Sequence, residues 1–185
     1  GDGDNTGDED TKPVRNAVKI EAESGVFTPA DKKEMGTSGQ GNTWISGFQN
    51  MTASYKLGAD FVAGEYRLNA LYVTPVDDCK LAITVNGVTK AVSIAPSDNA
   101  DAWDWNKAKY RTLTTLNLKP GDTIEIKATG TKPWIQIDYF QLVPTDMNDP
   151  IPGTGDTLPL KALLAALAAS AVGAAVIFSR RKRFL

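Results

Sequence analysis

Apolar and polar residues alternate with a period of two through most of the middle of the chain. The segments that show this alternation are 18–23, 65–73, 80–85, 88–95, 110–118, 123–128 and 134–143. Within 65–73 (EYRLNALYV) one face collects the side chains of Tyr66, Leu68, Ala70 and Tyr72. A period of two is typical of a β-strand with one buried face, whereas an amphipathic helix repeats about every 3.6 residues. The pattern therefore predicts a series of short strands.

Turn signals separate these strands. Asn86-Gly87 lies between two of them, and this dipeptide is typical of a two-residue hairpin. The sequence KPGD (119–122) marks a second turn, and no amphipathic helix of useful length accompanies the strands. Many short strands with turns between them predict an all-β domain, a β-sandwich, over residues 17–144.

The chain ends on an apolar stretch followed by basic residues. Residues 159–179 include an uncharged run from Ala162 to Phe178. Residues 180–185 (RRKRFL) follow and are rich in cations. As a helix this run is about 25 Å long, at the short end of what crosses a bilayer. Cations directly after a membrane helix stay on the cytoplasmic side. We expect a membrane-spanning helix at 159–179, a basic cytoplasmic tail at 180–185 and the body of the protein outside the cell.

A Pro/Gly-rich spacer, 145–158, precedes the apolar stretch and contains IPGTG at 151–155. Motif, apolar span and basic tail in this order resemble the sorting signal of Gram-positive cell-wall proteins, usually LPxTG, with Ile151 in place of leucine. The resemblance implies that sortase cleaves between Thr154 and Gly155 and joins Thr154 to peptidoglycan, so that membrane insertion is temporary. The expected location is extracellular, anchored to the cell wall; the alternative is a permanent membrane anchor.

The first residues, 1–16, begin with GDGDNTGDEDTKP, an acidic, glycine-rich stretch of low hydrophobicity. This composition is typical of a disordered linker. A sorted protein needs an export signal, and no signal peptide is visible at the start. We therefore expect the chain to be the C-terminal part of a longer surface protein with a domain upstream.

Composition excludes several classes of function. The chain has 185 residues, a formal net charge of -2, one cysteine and no histidine. A near-balanced charge without a basic stripe argues against nucleic-acid binding. Without histidine, neither a Ser-His-Asp nor a Cys-His arrangement exists, and the commonest zinc ligand is missing. Cys79 has no partner for an internal disulfide. We expect a monomeric domain without catalytic activity.

Three acidic residues lie at opposite ends of the predicted domain. Glu21 and Glu23 are two residues apart in IEAE, and Asp138 lies among apolar residues in IDYF. On a strand, residues two apart point to one face. If the first and last strands are neighbours, the three carboxylates converge, and such hard oxygen ligands suit Ca²⁺. The other interpretation of the same spacing is a solvated strand face.

Residues 17–144 resemble the carbohydrate-binding modules of families 6 and 35. The motifs that carry the resemblance are IEAE, TSGQGNTWI, AGEYRLNALYV, LKPGDTIEI and the final WIQIDYFQLV. The resemblance implies a jelly-roll β-sandwich and a structural Ca²⁺ held by Glu21, Glu23, Asp138 and loop carbonyls.

Four tryptophans are the candidates for stacking on a sugar, because the C–H face of a sugar ring needs a flat aromatic surface. The resemblance implies a binding tryptophan in the loop before LKPGDT, either Trp103 or Trp105, and a polar residue near the start of the last strand, Gln136, or the region of Trp134. Trp103 and Trp105 both lie in a polar loop, and we expect only one of them to face a ligand while the other plugs the edge of the sandwich. Trp44, in a predicted glycine-rich loop, supplies the opposite wall.

Together these features predict a non-catalytic glycan-binding module that holds an upstream domain on a polysaccharide or host glycan. Two alternatives remain from the sequence. One is a structural or adhesive stalk domain, which would have no use for tryptophans outside its core. The other is a glycoside hydrolase with paired carboxylates, either Asp77-Asp78 or Asp101 with Asp104.

Overall fold

A computed structural model describes residues 13–97 and 103–148 of the chain. The strands in these residues are β1 (Val18–Glu21), β2 (Val26–Thr28), β3 (Glu34–Thr37), β4 (Thr43–Ser46), β5 (Thr52–Lys56), β6 (Gly64–Val73), β7 (Cys79–Val85), β8 (Val88–Ile94), β9 (Lys109–Leu118), β10 (Thr123–Thr129) and β11 (Gln136–Pro144). Single 3₁₀ turns lie at Ala22–Ser24, Ala30–Lys32 and Trp105–Lys107.

The strands form two antiparallel sheets. The first sheet has the order β3-β4-β11-β6-β9, and the second has the order β2-β5-β10-β7-β8. β1 also belongs to the first sheet, where it pairs with β11 through Val18↔Leu142 to Glu21↔Tyr139. β4 pairs with the same strand further towards its start, through Ile137↔Ile45. The predicted all-β sandwich is thus confirmed, and the first and last strands are neighbours.

The core lies between the two sheets and follows the alternation of the sequence. The four residues predicted to share one face of β6 are buried, with Leu68 and Ala70 at 0% exposure and Tyr66 and Tyr72 at 1%. The Tyr72 hydroxyl donates a hydrogen bond to the carbonyl oxygen of Ala95 at 2.9 Å, which satisfies its polar end. Burial raises the pKa of Tyr72 to about 12. Apolar burial of this kind is the main stabilising contribution to the sandwich.

The hairpin predicted at Asn86-Gly87 joins β7 to β8. Both residues have positive φ angles, 50° for Asn86 and 79° for Gly87. Two consecutive left-handed residues are characteristic of a type I′ turn, whose twist matches that of the flanking strands. Glycine adopts this conformation without a steric penalty and asparagine adopts it more readily than most residues. The local prediction is confirmed.

The first strand is shorter than predicted. β1 ends at Glu21, and residues 22–24 form a 3₁₀ turn, so Glu21 and Glu23 do not share one face of a strand. The side chain of Ala22 is fully buried, and its carbonyl oxygen accepts a hydrogen bond from the Tyr55 hydroxyl at 2.8 Å. The Ser24 hydroxyl donates to the Glu21 carbonyl oxygen at 2.7 Å and closes the turn. These contacts bury Ala22 in the core and end the strand at Glu21.

The two ends of the domain lie side by side. The Arg15 guanidinium pairs with the Asp146 carboxylate at 2.6 Å and donates to the carbonyl oxygen of Glu65 at 3.2 Å. β11 runs from Gln136 to Pro144, a length of roughly 26 Å at the rise of a β-strand. The start of β11 is therefore at the opposite end of the sandwich from this ion pair.

Part of the predicted organisation lies beyond these residues. Within residues 13–97 and 103–148, no helix has the length and hydrophobicity needed to cross a membrane. The predicted helix at 159–179, the tail at 180–185 and the motif at 151–155 lie outside the described residues, as does most of the linker predicted at 1–16.

Candidate functional site

An open depression of about 360 Å³ lies at the end of the first sheet where β11 begins. Three of the four tryptophans line it, Trp44, Trp103 and Trp105, together with Gln136. The turn between β3 and β4 forms one side, and residues 103–105 form the other. The fold thus brings together four of the five residues predicted for carbohydrate binding.

Trp103 and Trp105 differ in exposure. The Trp103 side chain is 41% exposed, whereas Trp105 is 7% exposed. Trp105 begins the 3₁₀ turn Trp105–Lys107, and the Asp104 carboxylate caps this turn by accepting from the backbone N–H of Asn106 at 2.9 Å. Trp103 therefore presents the larger aromatic surface to solvent, whereas most of Trp105 is buried in the domain.

Gln136 is fixed by the buried tryptophan. The Trp105 Nε1–H donates a hydrogen bond to Gln136 Oε1 at 3.0 Å. Since the indole nitrogen can only donate, Gln136 keeps its Nε2–H₂ group for another partner. Gln136 lines the depression, so it offers a hydrogen-bond donor there.

Trp44 lies in β4 and not in a loop, which corrects the prediction for residues 37–45. The glycine-rich stretch forms a tight hairpin, because β3 extends to Thr37 and β4 begins at Thr43. Trp44 pairs with Gly36 across the hairpin. A Cβ atom added to Gly36 would lie 2.4 Å from the indole ring, so the ring rests directly on the glycine. This contact sets the position of the Trp44 ring.

The hairpin turn has a hydrogen-bond network that the sequence pattern did not reveal. The Ser38 hydroxyl accepts from the backbone N–H groups of Gln40 and Asn42 at 3.2 and 3.1 Å. The Asn42 side chain in turn donates to Asp138. Serine and asparagine commonly form such bonds in turns, but their sequence spacing alone does not tell which distant residue they contact.

Trp134, the fifth predicted residue, does not line the depression. Its side chain is 50% exposed, and it precedes β11 instead of beginning it. Its carbonyl oxygen accepts a hydrogen bond from the Thr74 hydroxyl at 2.6 Å, which ties the residue to the end of β6. Trp134 is therefore an exposed aromatic side chain on a fixed backbone.

The predicted metal ligands lie at one corner of the first sheet. Pairing of β1 with β11 places Glu21 opposite Tyr139, next to Asp138. Glu21 Oε1 forms an ion pair with Lys19 at 2.7 Å. Asp138 is 8% exposed, and the pKa of its carboxyl group is raised, mainly by burial. The negative charges of Glu21 and Glu23 also raise this pKa, whereas the Asn42 hydrogen bond and the charge of Lys19 lower it.

The grouping of the carboxylates and the surroundings of Glu23 indicate how well this corner suits a cation. Among the residues that the structure describes, no three Asp, Glu, His or Cys side chains are grouped closely enough to hold a metal ion. Glu23 Oε2 is nevertheless buried without a hydrogen-bond partner. A buried carboxylate oxygen without a partner is costly, and a hard cation is one partner that would satisfy it. The donor types fit calcium, and the calcium itself stays a prediction.

The carboxylates considered for glycoside hydrolysis contact other residues of the loops. Asp77 Oδ1 accepts from Lys132 Nζ at 3.0 Å, and this bond lowers the pKa of Asp77. Asp78 accepts from both the hydroxyl and the backbone N–H of Thr131, which lowers its pKa. These bonds join the β6–β7 loop to the β10–β11 loop. Asp101 lies outside the described residues.

Solved structures share this fold. A family 35 carbohydrate-binding module from Clostridium thermocellum matches with a TM-score of 0.56 and 17% identity, over 70% of this chain and 98% of that one. The module CsCBM6-3 from Clostridium stercorarium, solved in complex with cellobiose, matches with a TM-score of 0.51 and 14% identity, over 69% and 94% of the two chains. The fold is that of these modules.

Other comparisons limit what this likeness means. The insecticidal crystal protein Cry2Aa matches with a TM-score of 0.55 and 18% identity over 70% of this chain, although this covers only 22% of that protein. A scan against protein-family models finds no match, and a search of the curated proteins finds none either. Because one fold occurs in proteins with different functions, the function has to be argued from the site.

Proposed function

We propose that this domain binds carbohydrate in the tryptophan-lined depression and catalyses no reaction. The observation that carries the proposal is the convergence of Trp44, Trp103 and Trp105 with Gln136 around one open surface. A stalk domain would gain nothing from a half-exposed indole beside a fixed amide. The likeness to carbohydrate-binding modules, one of them solved with cellobiose, supports the same conclusion.

The chemistry of the depression favours an uncharged sugar. Trp103 provides a flat surface for the C–H face of a sugar ring, and Gln136 provides an N–H donor for a ring or hydroxyl oxygen. No lysine or arginine is among the described residues that line it, so a carboxylate or sulfate group on the ligand would have no cation to pair with. One stacked ring and a few exchanged hydrogen bonds predict a modest affinity.

Calcium has a structural role in this proposal. Glu21, Glu23 and Asp138, whose carboxylates are not grouped closely enough in this structure to hold an ion, would draw together around it, with loop carbonyl oxygens as further ligands. When bound, a calcium ion would supply positive charge to a corner that contains the buried carboxylate of Asp138 and the partnerless oxygen of Glu23. The ion would thereby stabilise the junction of β1 with β11.

The sorting signal gives the proposed location. Cleavage by sortase between Thr154 and Gly155 would join the chain to peptidoglycan on the outside of a Gram-positive cell, after temporary insertion of residues 159–179 in the membrane. Anchoring at this end would hold the sandwich at the cell surface. Binding to a nearby glycan would then raise the effective concentration of anything joined to the domain.

A glycan array in calcium and in EDTA tests the proposal. We expect the purified protein to bind neutral glycans and the Trp103→Ala variant to lose this binding. A correctly folded protein that binds none of the plant, host or microbial glycans on the array would overturn the carbohydrate proposal and favour a stalk domain. Incubation with sortase and a nucleophile, followed by mass spectrometry, tests for cleavage after Thr154.

A further inference from the structure

Trp134 lies next to the depression without belonging to it. Exposure alternates along the chain here, with Trp134 50% exposed, Ile135 1%, Gln136 partly exposed and Ile137 0%. Trp134 and Gln136 therefore point to the same side of the chain, and their Cα atoms are roughly 7 Å apart at the rise of an extended strand. Since Gln136 lines the depression, the Trp134 ring continues the same surface beyond it.

The backbone that carries Trp134 is fastened on both sides. The Thr74 hydroxyl donates to the Trp134 carbonyl oxygen at 2.6 Å. Upstream in the same loop, Asp78 accepts two hydrogen bonds from Thr131, and Lys132 pairs with Asp77 at 3.0 Å. Gly130 has a φ of 97°, and a Cβ atom there would lie 2.4 Å from the Asp78 carbonyl oxygen, so the two loops meet closely. The indole is thus half exposed on a loop that is held in place.

We propose that Trp134 forms a second aromatic subsite and that the ligand is an oligosaccharide chain and not a single sugar. This inference rests on the proposed carbohydrate binding. One sugar unit lies in the depression against Trp103, and an adjoining unit of the same chain stacks on Trp134, with Gln136 between them. The exposed half of the Trp134 ring is a flat aromatic surface of the kind that stacks on the C–H face of a sugar.

The experiment is calorimetric titration of the full chain with a series of oligosaccharides of the glycan found on the array, from the monosaccharide to the pentasaccharide. We expect the wild-type affinity to increase when the ligand becomes long enough to reach Trp134. In the Trp134→Ala variant, affinity for the long ligands falls by about tenfold, whereas affinity for the shortest ligand that binds is unchanged. Trp134→Phe keeps part of the gain, and it serves if the alanine variant proves unstable.

Val88→Ala is the matched control, because Val88 is another exposed apolar residue, 67% exposed, on the β7–β8 hairpin. It leaves affinity unchanged at every length. If wild-type affinity does not depend on length, or if Trp134→Ala changes all lengths equally or none, the second subsite is wrong and carbohydrate binding stands. If the wild-type protein binds no sugar of any length while Trp103→Ala behaves identically, both proposals fall.

Discussion

Asn42 Nδ2 donates a hydrogen bond to Asp138 Oδ2 at 2.8 Å, and this bond joins the hairpin beside the depression to the last strand of the core. On one side of the bond, Ser38 and Asn42 hold the turn that lines the depression. On the other side, Asp138 belongs to the acidic corner with Glu21 and Glu23. The wall of the proposed sugar site and the proposed calcium corner therefore share one side-chain contact.

Replacing Asn42 with alanine is expected to loosen the hairpin turn and to leave Asp138 buried without this donor. A hydrogen bond to a charged group contributes about 1.5–3 kcal/mol, so we expect a stability loss of this size. Sugar affinity falls as well, by about tenfold, because the turn that forms one side of the depression loses the Asn42 side-chain bonds to Ser38 and to Asp138. Thermal unfolding and calorimetric titration measure the two effects.

Hydrogen exchange separates a local effect of Asn42→Ala from a global one. The backbone N–H of Gln40, which donates to the Ser38 hydroxyl, should exchange faster, while the N–H groups of β6 stay protected. Asn50→Ala is the control, because Asn50 is an exposed residue of a different turn. If sugar affinity is unchanged in Asn42→Ala although the turn exchanges faster, the hairpin does not position the ligand.

Truncation of Trp103 and truncation of Trp105 should differ in their effect on stability. Trp103→Ala removes a surface that is 41% exposed, so we expect stability within about 0.5 kcal/mol of the wild type and loss of sugar binding. Trp105→Ala empties a buried position and should cost about 3–5 kcal/mol. Chemical denaturation and the glycan array are the measurements. Equal destabilisation by both variants would show that Trp103 is a packing residue.

Calcium should stabilise the wild-type domain through Asp138. At a calcium concentration about a hundred times its dissociation constant, the expected gain is about 2.7 kcal/mol over the protein in EDTA. Asp138→Asn should abolish this gain, because the amide is a weaker ligand without charge. In EDTA the variant should be at least as stable as the wild type, since a buried carboxylate has been removed. Unfolding curves in calcium that coincide with those in EDTA would exclude the ion.

The loop that carries Trp134 should weaken in acid through Asp78. The two hydrogen bonds from Thr131 lower the pKa of Asp78 below its ordinary value of 3.8. A lowered pKa in the folded state means that the contribution to stability is full above the ordinary value and is lost as the pH falls through the lowered one. The difference in melting temperature between wild type and Asp78→Asn should therefore be largest near neutral pH and shrink towards pH 2. A difference that does not change with pH would exclude a contribution from the charge.

Much of the sandwich could be predicted from local features of the sequence. The alternation in 65–73 predicted both β6 and its buried face, because side chains on a strand point alternately to its two sides. Asn86-Gly87 predicted a hairpin because the turn conformation depends on those two residues alone. The spacing of Trp103 and Trp105 did not predict their different exposures, because residues two apart on an extended chain share a face, and the difference comes with the 3₁₀ turn that begins at Trp105.

Tertiary contacts overrode local pattern in two places. The alternation of 18–23 extends past Glu21, but burial of Ala22 and the hydrogen bond from Tyr55 end the strand there. The glycines of 37–45 are typical of a loop, yet Gly36 leaves room for the Trp44 ring, and the segment pairs as β3 and β4. In both places the structure depends on a contact with another strand, Tyr55 with Ala22 and Trp44 with Gly36, which the alternation of apolar and polar residues does not reveal.

By itself, the sequence determined where most strands lie, which of their faces is buried and which residue types are available for a sugar and a cation, because these depend on neighbours in the chain. Only the tertiary structure decided which of those residues meet. Trp44 and Trp103 share a depression, Trp134 lies beside it, and Asn42 contacts Asp138, because the order of strands in the sheet brings distant segments together. Strand order depends on packing of the whole core, which no short stretch of sequence encodes.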